Sequence, residues 1–104
     1  MKKYLRLMAD YCSSGFWDED GVNLDPTDLP VFYWLKRMIE DWQAIYDREA
    51  MDMDKFDVKT FSKNGYALAI KLKQNLPDWT IMYYDEAAAW ENKPRSEFLK
   101  EIVL

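Results

Sequence analysis

The stretch LPVFYWLKRMIEDWQAIY, residues 29–46, constrains this chain more than any other, because its large apolar residues recur at helical spacing for about five turns. Val31, Leu35, Met38, Trp42 and Ile45 form one stripe, and Phe32, Trp34, Ile39 and Tyr46 widen it on either side. A stripe that wide has to be covered by other elements. Asp28 is placed to cap the first turn, and Pro30 fits there because the early N–H groups of a helix have no intrahelical partner. Lys36, Arg37, Glu40 and Asp41 leave a solvated strip.

The rest of the chain supplies the cover. Residues 3–11, KYLRLMADY, alternate Leu5, Leu7 and Ala9 against Tyr4, Arg6, Met8 and Asp10, the period of a strand with one buried face; Leu, Met and Ala also suit a short helix. Residues 12–27 mix Ser, Gly, Asp, Asn and Pro and read as a long loop, with Phe16, Trp17, Val22 and Leu24 available to pin it down. Residues 47–57 read as an exposed acidic connection. Asp57 then caps a second helix in which Val58, Phe61, Gly65, Leu68, Leu72 and Leu76 share a face, ended by Asn75 and Pro77. Gly65 in mid-helix costs about 1 kcal/mol relative to Ala, so its place on the apolar face predicts close approach of another element, the first helix above all.

DWTIMYY, residues 78–84, is β-branched, aromatic and apolar on both faces, which predicts a central strand. Residues 85–95 extend that strand before turning at Asn92 to Pro94, and SEFLKEIVL closes the chain as a last strand. The order strand, helix, helix, strand, strand predicts a single α+β domain over residues 1–104: a small three-stranded, mainly antiparallel sheet with two helices packed on one face.

Several chemistries are excluded by what the chain lacks. It has no histidine, the commonest general base and metal ligand, and its one cysteine, Cys12, has no second thiol for a disulfide or a zinc cluster. Cys12 reads as a small, buried or half-buried side chain at a strand end. No GxxxxGK[ST] or GxGxxG motif offers a phosphate cradle. Asp18, Asp20, Asn23 and Asp25 alternate along a Gly-containing loop, but Gly21 is misplaced for a calcium-binding helix–loop–helix and the closing Glu is missing. A carboxylate pair of glycosidase type stays open, since any of the 19 acids can converge in space. The reading is a non-enzymatic chain without cofactor or metal. No apolar run approaches the ~18 residues that cross a bilayer, and Arg6 and Asp10 interrupt the N-terminus before a signal-type core develops, so a cytoplasmic location away from membranes is expected.

Charge narrows the partner. The net charge is −5 and is uneven: residues 1–57 hold 13 acids and 7 bases, residues 58–104 hold 6 and 7. Such a surface repels nucleic acid and attracts basic proteins. The acids concentrate in two segments, Asp18, Glu19, Asp20 and Asp25 with Asp28 at the edge, and Asp47, Glu49, Asp52, Asp54 and Asp57. Phe16 and Trp17 stand beside the first. Aromatics embedded among acids, as in FWDED and AWENK, are what a protein-binding surface offers. These eleven residues, Phe16 and Trp17 with the nine acids other than Asp28, are the candidate partner-binding set. Trp34, Trp42, Trp79, Tyr83 and Phe98 fall on expected buried faces.

YLRLMADYCSSGFWD, DLPVFYWLKRMIEDWQAIYD and LPDWTIMYYDEA together resemble small bacterial immunity proteins of polymorphic toxin and contact-dependent inhibition systems. The resemblance covers most of the chain and carries no catalytic residues. It implies a role, binding a cognate toxin domain tightly and blocking its active site or a surface it needs; on its own the chain is expected to be a monomer. Many such toxin domains are nucleases, basic because they bind phosphate, and an acidic chain is physically suited to cover them. Another protein-interaction or regulatory module, or a small ligand-binding domain, are the alternatives.

Overall fold

The computed structural model describes residues 2–104. Strand β1 (Tyr4–Leu7) is followed by a two-residue strand β2 (Phe16–Trp17), a 3₁₀ turn (Pro26–Asp28), helix α1 (Tyr33–Glu49), helix α2 (Val58–Asn75), strand β3 (Thr80–Tyr84), two short helices α3 (Glu86–Trp90) and α4 (Arg95–Phe98), and strand β4 (Leu99–Glu101). The α+β class and the two long helices are as expected. The sheet is not the three-stranded, mainly antiparallel one: it has four strands in the order β2-β1-β3-β4, and its central pair is parallel. A parallel pair needs a long crossover, and here the whole of α1 and α2 supplies it. Only the flanking pairs, β1 with β2 and β3 with β4, are antiparallel.

Local chemistry explains the other departures. Helix α1 starts at Tyr33 rather than near Pro30: Leu29, preceding a proline, is held extended at φ −90° and ψ 138°, and Phe32, the residue before the helix, is still non-helical at φ −53° and ψ 137°. Asp28 does not cap it; it lies in the 3₁₀ turn, which Asp25 caps through a bond from the Thr27 N–H. The Phe32 N–H at the start of α1 donates instead to Asn75 Oδ1, 2.9 Å away at the end of α2. Residues 85–95 do not extend β3. Asp85 accepts the Ala88 N–H at 3.1 Å, and the following alanines take up the helix this cap offers. As the spacing predicts, Asp57 caps α2, its carboxylate accepting both the N–H and the hydroxyl of Thr60, which holds its pKa below the usual carboxylate range.

One core joins these elements. Leu5, Leu7, Ile81 and Tyr83 from the sheet meet Leu35, Ile39 and Trp42 of α1 and Phe61, Leu68 and Leu72 of α2. The Trp42 and Phe61 rings stack at 4.5 Å, and the Trp42 indole donates to the Phe61 carbonyl. A Cβ at Gly65 would run into the Trp42 ring and the Tyr83 hydroxyl, so the glycine marks where α1 and β3 both approach α2. The buried stripe of α1 is narrower than its sequence suggests. It follows Leu35, Ile39, Trp42 and Gln43, while Phe32, Trp34 and Met38 stand exposed and Phe98 is only half-buried. No helix among the described residues is long and apolar enough to cross a membrane.

Candidate functional site

The strands present two faces. Leu5 and Leu7 on β1 and Ile81 and Tyr83 on β3 turn toward the helices; Tyr4, Arg6, Met82 and Tyr84 alternate onto the other face and stay half-exposed. Register sets a row across that open face, in which Trp17 on β2 pairs with Arg6, Arg6 with Met82, and Met82 with Glu101 on β4. The Trp17 indole is held in place by donating to the Met8 carbonyl at 2.8 Å. Beyond Tyr84 the Phe98 ring closes the far edge at 5.4 Å. Tryptophan, tyrosine and arginine on a half-desolvated surface are the composition of a protein-binding hot spot.

The candidate residues fall in two groups, one beside each end of β1. Phe16 is 1% exposed and belongs to the core, against the expectation that it is displayed; it alternates with Trp17 on β2 and takes the inward side. Asp18 is half-buried, and its Oδ1 accepts the N–H groups of Asp20 and Val22, so the carboxylate shapes the turn that carries Glu19 and Asp20 outward. Glu19 pairs with Lys2. Asp18, Glu19 and Asp20 border a cleft with Lys2, Tyr4 and Trp79, beside the start of β1. The second segment lies past the other end of that strand: Asp47 accepts the Cys12 N–H at 2.9 Å, and Gln43 clamps the Asp10 backbone. Cys12 itself is exposed, with φ +57°, rather than buried. In the connection, Asp52 accepts the Asp54 N–H, and Met51 (86% exposed) and Met53 project between these acids and Glu49.

Three features of the structure have no signal in the sequence pattern. Arg6 sits in the middle of the open face, where the strand alternation places it but gives it no role. The start of α1 exposes Phe32, Tyr33, Trp34 and Met38, with Phe32 and Trp34 stacked at 6.0 Å and the Arg37 guanidinium bonded to the Tyr33 hydroxyl. Glu86 is 5% exposed, its Oε2 accepting only the Trp90 indole N–H at 3.1 Å. Burial, then the nearby Asp10 and Asp85 carboxylates, push its pKa up to about 7 against that hydrogen bond. Among the described residues no three Asp, Glu or Cys gather as a metal site.

A family model described as Serratia CdiI immunity protein-like matches residues 3–86, which run from the residue before β1 to the first residue of α3 and include both acidic segments and the Trp17–Arg6–Met82 row. No curated protein matches the chain.

Proposed function

The chain belongs to the Serratia CdiI immunity protein-like family, and from that premise we propose that it is a non-enzymatic inhibitor that binds a cognate bacterial toxin domain in the cytoplasm and covers a surface the toxin needs. The family match carries the reading. The partner docks on the open sheet face, with Trp17 as an anchor and Asp18, Glu19 and Asp20 along its rim. The acids from Asp47 to Asp57 lie past the other end of β1 and act through their field, drawing in a basic partner.

Binding kinetics with the toxin domain encoded by the adjacent gene test this. Asp20→Lys combined with Asp54→Lys is expected to slow association several-fold at low salt and to flatten its salt dependence, while Trp17→Ala speeds dissociation by about tenfold or more. Rates within twofold of the parent for both variants at low salt, where exposed charges are least screened, would place the footprint elsewhere. The exposed aromatics at the start of α1 favour a second reading, with docking at that end. Its signature is a loss of affinity in Trp34→Ala that Trp17→Ala does not share.

A further inference from the structure

The guanidinium of Arg6 is incompletely partnered in the free chain. Its Nη2 donates to the Tyr4 hydroxyl at 3.3 Å, but its Nε is shielded from solvent and has no acceptor, the only such buried side-chain atom among the described residues. Strand neighbours explain the shielding. Trp17 and Met82 flank Arg6 across the sheet, and Tyr4 and Met8 flank it along the strand. A desolvated N–H without an acceptor is costly, and a charged one more so. Arg6 lies on the face that α1 and α2 do not cover.

The same guanidinium borders an open cleft of about 510 Å³. Arg95 at the start of α4 lines the cleft opposite the strand, with the hydroxyl-bearing Tyr4 and Ser96 beside it. One acid, Glu19, reaches the rim, and it is already paired with Lys2; Glu101 stands further along the face, across Met82. In a chain of net charge −5, the Arg6 guanidinium on the half-buried sheet face and the exposed Arg95 on α4, lining one cleft, form a local positive site. Its complement is an anion with planar, two-oxygen geometry.

We propose that the cleft between Arg6 and Arg95 receives a carboxylate side chain of the bound toxin domain, which meets the Arg6 guanidinium as the side chains shielding its Nε move aside and supplies the acceptor that this N–H lacks in the free chain. This rests on the toxin-binding reading and deepens it. The opposite charges then divide the work. The acidic rim draws the partner in, and one inserted carboxylate fixes the register in which it docks.

The test follows the Arg6 Nε–H by proton–nitrogen NMR in the full chain, free and bound to the adjacent-gene toxin domain, together with affinities of Arg6→Gln, Arg6→Lys and Arg95→Gln. The Nε–H resonance is expected to move downfield in the complex. Arg6→Gln should weaken binding by about tenfold to a hundredfold, and Arg6→Lys should fall between, because a point charge replaces the fork. A scan of the toxin's Asp and Glu residues to amides should find one whose loss is non-additive with Arg6→Gln. An unmoved resonance, or parent-like binding by Arg6→Gln or Arg6→Lys, overturns the proposal and leaves the toxin reading standing. The same shift produced by sodium phosphate or acetate alone, with no sensitive toxin acid, overturns it in favour of a small-anion site. If the parent chain does not bind the toxin domain, the toxin reading itself fails and takes the inserted carboxylate with it.

Discussion

On β1 and β3, Leu5, Leu7, Ile81 and Tyr83 point into the helices and are at most 1% exposed, whereas Tyr4, Arg6, Met82 and Tyr84, their immediate neighbours, point the other way and stay half-exposed. On the helix side the buried polar groups have partners. The Tyr83 hydroxyl donates to the Ser62 carbonyl, the Trp42 indole to the Phe61 carbonyl, and the Gln43 amide bonds the Asp10 backbone twice. On the other side an arginine N–H is shielded without an acceptor. The buried polar groups of the first face are satisfied within the chain, and one of the second face is not. Substitutions that separate stability from binding therefore test this contrast directly.

The largest effects belong to the helix side. Trp42→Ala removes a stacked, hydrogen-bonded ring and is expected to cost about 3–5 kcal/mol, and Ile81→Ala about 2–4 kcal/mol. The midpoint of chemical denaturation measures both. A midpoint that barely moves for either would dissolve the distinction, because it would mean that the helix side is not the face that holds the fold.

Next in size is the one titratable group buried at the end of that side. Glu86 is faced by Trp90 on its own helix and, through the field, by Asp10, Asp85, Tyr46 and Tyr84. Its folded pKa, about 7, lies above the ordinary value of 4.5, so the folded chain holds this proton more tightly than the unfolded one. The associated stability is present in full below about pH 4.5 and is lost as pH rises through about 7, a change on the order of 3 kcal/mol. Asp25, Asp57 and Asp78 have lowered pKa values and act in the opposite sense, but only as pH falls below the carboxylate range. Denaturation of the parent between pH 5 and 8 should therefore show a decline that Glu86→Gln flattens. An equal slope in both would mean that Glu86 is hydrated in solution.

The contrast also explains how much the sequence could disclose. Alternation in KYLRLMADY revealed β1 with its inward Leu5 and Leu7, the β-branched and aromatic run DWTIMYY revealed β3, and the Asp57 cap and Gly65 marked α2 and its close approach, because each is a local signal with one physical cause. The parallel pairing of β1 with β3 was hidden, since the register depends on a crossover of two helices that no local pattern encodes. So was β2, two residues long and framed by Gly15 at φ +88°. The outer aromatics of α1 misled for a different reason. Periodicity gives a stripe its direction but not its width, and Phe32 and Trp34 lie past the line where the α1 stripe meets its neighbours; Met38, placed on the stripe itself, is 42% exposed. The acids were visible as a composition, yet Asp18, Asp25 and Asp57 turned out to shape turns and helix starts with their carboxylates.

A smaller effect separates adjacent residues. Met82 follows Ile81 but faces the open side, half-exposed, so Met82→Ala should cost about 1 kcal/mol or less, well below Ile81→Ala. Thermal unfolding of the pair checks it. Equal losses would show that the open face is packed as tightly as the helix face.

The smallest effect is the most discriminating. Removing a buried, partly unpaired polar group and replacing it with an apolar one of similar length eliminates the unsatisfied N–H together with the side chain that bears it. Arg6→Met keeps the stem that packs between Trp17 and Met82, loses only the 3.3 Å bond to the Tyr4 hydroxyl, and fits a strand flanked by another methionine at position 8. Its stability should stay within about 1 kcal/mol of the parent, with a gain as consistent as no change. A loss of several kcal/mol by chemical denaturation would mean that Arg6 is anchored within the chain by bonds formed in solution, and the open face would then be a second structural layer rather than a surface waiting for its partner.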